Sequence, residues 1–254
     1  MFAHPRSCST YMMKQFDSSP FLNVIDTNNY ELITPTNRLR TAKFLNFPDT
    51  FLDNASDWDH DELYISECFR QYPGIAFKLM AYVHKFSLID YLIDVHQPII
   101  VTIQRKDRIS TLASIINKSI REIQDPESSD EIWTYPSKHD KQKMEYGRLF
   151  NSVNRKNDKR RKYLTDMYFT ILNKTKYYMD TIEKKYSEST NLKHYSFYTE
   201  EFGYGFRCPQ LEDELEIELD FDEYVQPSHY SEIFSDWEYF RDDVCNVLGD
   251  IQHD

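Results

Sequence analysis

The sequence predicts an α/β protein, a parallel sheet flanked by helices, with a helix-rich C-terminal half. Three observations predict it. Short apolar runs alternate with segments of helical period from the start of the chain to Ile123. One of the runs, Ile99–Ile103, is almost unbroken in apolar character, as suits a parallel strand buried on both faces. Two of the runs pass through a polar turn straight into a helix start, which is how a βα unit with right-handed crossovers is built.

Met1–His4 reads as a short strand and Ser9–Phe16 as the helix after it, with Pro20–Ile25 a second strand. Thr36–Asn46 reads as a helix, with Thr34 as its cap and Pro35 at its first turn. Asp61–Tyr72 is a helix stopped by Pro73-Gly74, and Ile75–Met80 is a strand. Ser87–Val95 carries Leu88, Leu92 and Val95 on one stripe and reads as a helix. The strand at 99–103 leads into a helix over Asp107–Ile123. Residues 124–142 read as a polar loop around Trp133 and Tyr135. Residues 155–186 read as one long amphipathic helix with a basic start, Tyr195–Thr199 as a further strand, the acidic run 212–223 as an exposed loop, and Tyr230–Leu248 as a last helix. With no internal repeat and no Gly/Ser linker, residues 1–254 read as one domain.

Composition excludes several functions. The net charge is −12, the reverse of the basic face that a general nucleic-acid binder shows. Cys8, Cys68, Cys208 and Cys245 are far apart and form no C-x-x-C pair, so neither a metal site nor a disulfide framework is expected. No apolar run approaches the ~20 residues of a membrane span, and no basic region followed by a long apolar stretch marks a secretory signal. The expected place is the cytoplasm.

The chemistry-bearing segments are the two turns. The first, Pro5-Arg6-Ser7-Cys8-Ser9-Thr10, sits between a strand and a helix N-terminus. Backbone N–H groups, the helix dipole, hydroxyls and one cation there can hold a phosphate. The same residues also suit a capped helix start, with Ser7 or Ser9 satisfying the backbone and Arg6 at the surface. The Walker pattern G-x-x-x-x-G-K-[ST] is absent. A phosphatase loop would need an Arg six positions after Cys8, where Lys14 stands instead. The second turn follows the strand at 99–103: Arg105 lies at its C-terminal edge, where open α/β sheets bind ligands, and Ser110 and Ser114 lie on one side of the following helix.

Together the two segments resemble the sulfotransferases that use 3′-phosphoadenosine 5′-phosphosulfate (PAPS). That family has a P-[KR]-S-G-[ST]-T loop after its first strand, and an Arg after a later strand with a Ser eight or nine residues on. Here these are Pro5–Thr10 and the pair Arg105 and Ser114, nine apart. Lys78-Leu79-Met80 and the later Trp133 are similar to the bacterial branch typified by trehalose 2-sulfotransferase. The match spans roughly residues 1–135; Cys8, in place of the loop glycine, departs from it.

The resemblance implies a P-loop-like sheet and a donor site without a metal. Arg6, Ser7, Cys8, Ser9 and Thr10 would hold the 5′-phosphosulfate, Arg6 neutralising the leaving group, and Arg105 and Ser114 would hold the 3′-phosphate. The acceptor would be a hydroxyl of a small molecule, carbohydrate or glycolipid, with PAP the second product. It also implies a general base in a loop after the second strand, which points to Glu31; His84, six residues after Lys78, is the second candidate. A non-enzymatic PAPS/PAP-fold interaction module and an atypical nucleotide kinase are the alternatives.

Overall fold

The computed structural model describes residues 1–3, 7–24, 61–80, 86–124, 146–147, 162, 164–188, 193–222, 224 and 229–249. Among them, β1 (Phe2–Ala3), β4 (Leu79–Met80), β5 (Ile100–Gln104) and β6 (His194–Tyr198) form one sheet in the order β4-β1-β5-β6. Every pairing in it is parallel: Phe2 lies beside Leu79 and Thr102, Ala3 beside Met80 and Ile103, and β5 pairs β6 from Ile100↔His194 to Gln104↔Tyr198. A smaller parallel pair joins β2 (Asn23–Val24) to β3 (Ile75–Ala76). The helices are α1 (Ser9–Phe16), α2 (Asp61–Gln71), α3 (Phe86–Tyr91), α4 (Arg108–Gln124), α5 (Lys174–Ser187), α6 (Pro209–Leu215), α7 (Tyr230–Ile233) and α8 (Trp237–Leu248). The chain is thus a mixed α/β protein with a parallel sheet, as expected.

Alternation along β5 and its neighbours divides the core in two. On one face Phe2, Leu79 and Ile100 pack with α2, α3 and α5 through Ile65, Leu88 and Met179. On the other, Val101, Ile103 and Phe197 meet Met12, Met13 and Phe16 of α1, together with Phe202, Leu211 and Phe221. A third cluster seats α4, through Leu112 and Ile116, on Leu164, Leu172, Phe234 and Phe240.

Five expectations need correction. The helix expected over Ser87–Val95 is α3 only as far as Tyr91 and then widens into a π-type turn at Leu92–His96, which leaves Val95 exposed rather than on a buried stripe with Leu88 and Leu92. The strand expected over Ile75–Met80 is two strands in two sheets. Pro73 O and Gly74 O hold Asn23, and at Phe77 the chain leaves that pair to lie beside Met1, so the run changes partner midway. Gly74 has φ +75°, and a Cβ there would fall 2.1 Å from Phe21 O, so the close approach needs glycine. The helix over 155–186 is interrupted by a wide π-type turn at Tyr168–Asn173, which Arg108 braces by a 2.7 Å bond to Asn173 Oδ1 and by lying over the Tyr168 ring. The last helix breaks at Phe234, which turns extended, puts its ring against Tyr146 and Phe240, and lets Asp236 accept from the N–H groups of Tyr146 and Gly147. The acidic run begins as helix α6, and its Glu212 is buried, accepting from Arg207 Nε (2.7 Å) and Leu219 N (2.8 Å). The helix expected at Thr36–Asn46, the loop 124–142 and most of the basic run 155–162 lie outside the described residues.

The face of β5 and β6 beneath α5 is polar at one end. Thr102 Oγ1 and His194 Nε2 are hydrogen-bonded at 3.0 Å, and Glu183 of α5 accepts from Gln104 Nε2 and Ser196 Oγ, both at 2.9 Å. Burial lowers the His194 pKa below the ordinary 6.5, against a smaller upward pull from Glu183. The unfolded chain therefore takes up this proton first as pH falls, and stability declines below about 6.5. Half-buried His96, also lowered by burial, acts in the same direction. Urea unfolding at pH 7.5, 6.5 and 5.5 should show this decline, and His194→Gln should reduce its slope; an unchanged slope would show that the imidazole is not desolvated.

Candidate functional site

Loop 1 joins β1 to α1. The N-cap of α1 is Cys8, whose carbonyl accepts from Tyr11 N (2.9 Å) and Met12 N (3.3 Å) and whose side chain makes no capping bond. The helix start is therefore not capped by a serine side chain at the N-cap position. Ser7 and Ser9 are buried and Thr10 half-buried. Cys8 has φ 56° and ψ 22°, the left-handed conformation in which a Cβ costs about 1 kcal/mol or more. Cys8 thus stands at the one described position of the loop where glycine would be at ease.

Beneath the first turn of α1 lies a cation that sequence reasoning missed. Lys78 is only 3% exposed, and its Nζ donates to Thr10 Oγ1 at 3.3 Å. Alternation places Lys78 on the sheet face opposite Leu79, the face that α1 covers. The signal was a lysine held between Phe77 and Leu79 in an apolar run, which is costly to bury unless its charge is used.

Loop 2 joins β5 to α4. Arg105, at the C-terminal end of β5, is 6% exposed. Asp107 caps α4, its Oδ1 accepting from Ser110 N at 2.8 Å. Ser110 is fully buried and its Oγ accepts from Tyr230 N at 2.9 Å. Ser114 lies one turn further along the same side of α4, half-buried. Glu200 accepts from Lys106 N at 3.0 and 3.2 Å and from Asp107 N at 3.2 Å, and Lys106 Nζ lies 4.3 Å from the centre of the Tyr198 ring.

β1 and β5 are adjacent and parallel, so both loops leave the same edge of the sheet from neighbouring strands. That brings Ser7, Cys8, Ser9 and Thr10 to one edge with Arg105, while Ser114 stands on the helix that follows loop 2. Arg6, Glu31 and His84 lie outside the described residues. Among the described residues no group of three or more His, Cys, Asp or Glu side chains could hold a metal ion, and no helix is long and apolar enough to cross a membrane. None of the four cysteines, all described, forms a disulfide. No family model, curated protein or solved structure matches the chain.

The backbone at Cys8 gives a direct test. Cys8→Gly should leave stability unchanged or raise it by up to about 1 kcal/mol, since relief of the left-handed strain outweighs the added freedom of the unfolded chain. Cys8→Val, β-branched at a positive φ, should cost about 1–2 kcal/mol relative to the glycine variant. Denaturant midpoints of the two variants decide this; equal midpoints would show that the turn is not strained.

Proposed function

We propose that the chain is a PAPS-dependent sulfotransferase that moves a sulfuryl group to a hydroxyl of a small-molecule, carbohydrate or glycolipid acceptor. The observation that carries this reading is the placement of two strand–turn–helix units on adjacent parallel strands, each with a buried cation: Lys78 under loop 1 and Arg105 in loop 2. A donor with a phosphosulfate at one end and a phosphate on its ribose needs two anion subsites at one sheet edge. The P-loop-like reading of the sheet rests on β1, an inner strand that runs through loop 1 into α1.

In this reading the acceptor oxygen attacks sulfur in line, an oxygen–sulfur bond forms, and the bond from sulfur to the bridging oxygen of the 5′-phosphate breaks. Negative charge develops on that bridging oxygen. Arg6, Lys78 and the first turn of α1 neutralise it, with Ser7, Cys8, Ser9 and Thr10 lining the loop. Arg105 and Ser114 hold the 3′-phosphate. Glu31 takes the acceptor proton, with His84 the second candidate. PAP leaves as product, and the reaction calls for no metal. Four cysteines free of disulfides are compatible with a cytoplasmic enzyme.

Titration calorimetry with PAP tests the reading, and absence of binding at about 100 μM would sink it. Lys78→Met and Arg105→Ala should each weaken PAP at least about tenfold, the worth of one charge-assisted hydrogen bond. In the transfer assay Glu31→Gln should abolish turnover while PAP affinity stays near wild type; unchanged turnover would move the base to His84.

A further inference from the structure

We propose that Thr199 is a positioning residue that fixes the spacing of loop 1 and loop 2, so that one ligand carrying two phosphates can span them. The inference rests on the donor reading above. Thr199 follows β6 and is completely buried. Its Oγ1 lies 3.1 Å from Ser7 O in loop 1 and 2.9 Å from Gln104 O at the end of β5, with its proton able to go to either carbonyl. The next residue, Glu200, accepts from the N–H groups of Lys106 and Asp107 in loop 2. Two consecutive residues of a third strand's exit thus touch both loops.

This contact joins loop 1 directly to the end of β5. Among the described residues, β1 pairs through Phe2 and Ala3. The Thr199 hydroxyl ties Ser7 to β5 four positions beyond Ala3 of β1. Thr199 is β-branched and packed, which restricts the side chain to few rotamers and makes the distance between the two carbonyls well defined. A ligand with two anionic groups gains from its second contact only if the subsites are held at its own span. Loosening the tie should therefore remove the advantage of having two phosphates and leave each separate contact nearly intact.

The experiment compares three ligands, PAP, adenosine 5′-monophosphate and adenosine 3′-monophosphate, on wild type, Thr199→Val, Thr199→Ala and Thr199→Ser by titration calorimetry. The Val and Ala variants should lose at least about tenfold in PAP affinity and less than about threefold for either monophosphate, and Ser should stay within about threefold of wild type throughout. Equal losses for all three ligands, or no loss for PAP, would overturn the proposal while leaving the donor reading in place. Failure of both the Val and Ala chains to fold would overturn it too, since the hydroxyl would then hold the fold rather than the spacing. A wild-type chain that binds no PAP would remove the donor reading and this inference together.

Discussion

β1 pairs through Phe2 and Ala3, and the arrangement of the candidate site depends on where it pairs. With Phe2 beside Leu79 and Thr102, and Ala3 beside Met80 and Ile103, β1 is held on both sides. Parallel pairing is the decisive part, because it sends the exits of β1 and β5 to the same edge. An antiparallel β1 would put loop 1 and loop 2 at opposite ends of the sheet. Burial supports the pairing: Phe2, Ala3, Leu79 and Ile103 are all nearly inaccessible, and Met1 donates to Phe77 O while accepting from Leu79 N. The register is fixed by the faces, since a shift by one residue would turn Phe2 from the α3 and α5 side of the sheet toward α1.

The parts legible in the sequence are those where local pattern and tertiary burial agree. Helix α1 runs over Ser9–Phe16 as the apolar spacing predicts, because Met12, Met13 and Phe16 face Val101 and Ile103. β5 was legible because a central parallel strand is apolar on both faces. The failures came where a distant group overrides local period. The break at Phe234 serves Tyr146 and Gly147, about ninety positions away, through Asp236. Glu212 reads as one more solvated acid until Arg207 and Leu219 N are brought against it. Of the site, Ser7, Cys8, Ser9, Thr10 and Arg105 could be named from strand–turn–helix order. Lys78 was visible only as part of a resemblance, since its meaning depends on lying beneath α1. Thr199 and Glu200 carry no local signal, because their partners are 93 to 192 residues away.

Charge is the remaining constraint, and it works through position. A chain of net charge −12 repels a polyanionic donor at long range, but that field is screened over about 10 Å at ordinary ionic strength. What matters at the sheet edge is the local balance. Lys78 and Arg105 are buried there, where the dielectric is low and each charge acts strongly on a nearby anion. Among the described residues, acids by the loops are engaged with the protein itself: Glu200 with the amides of loop 2, Asp107 with the first turn of α4, and Glu183 with Gln104 and Ser196. Glu212 and Glu218 are paired with Arg207. Among the described residues, carboxylates thus brace the loops while Lys78 and Arg105 are buried at the same edge of an acidic protein.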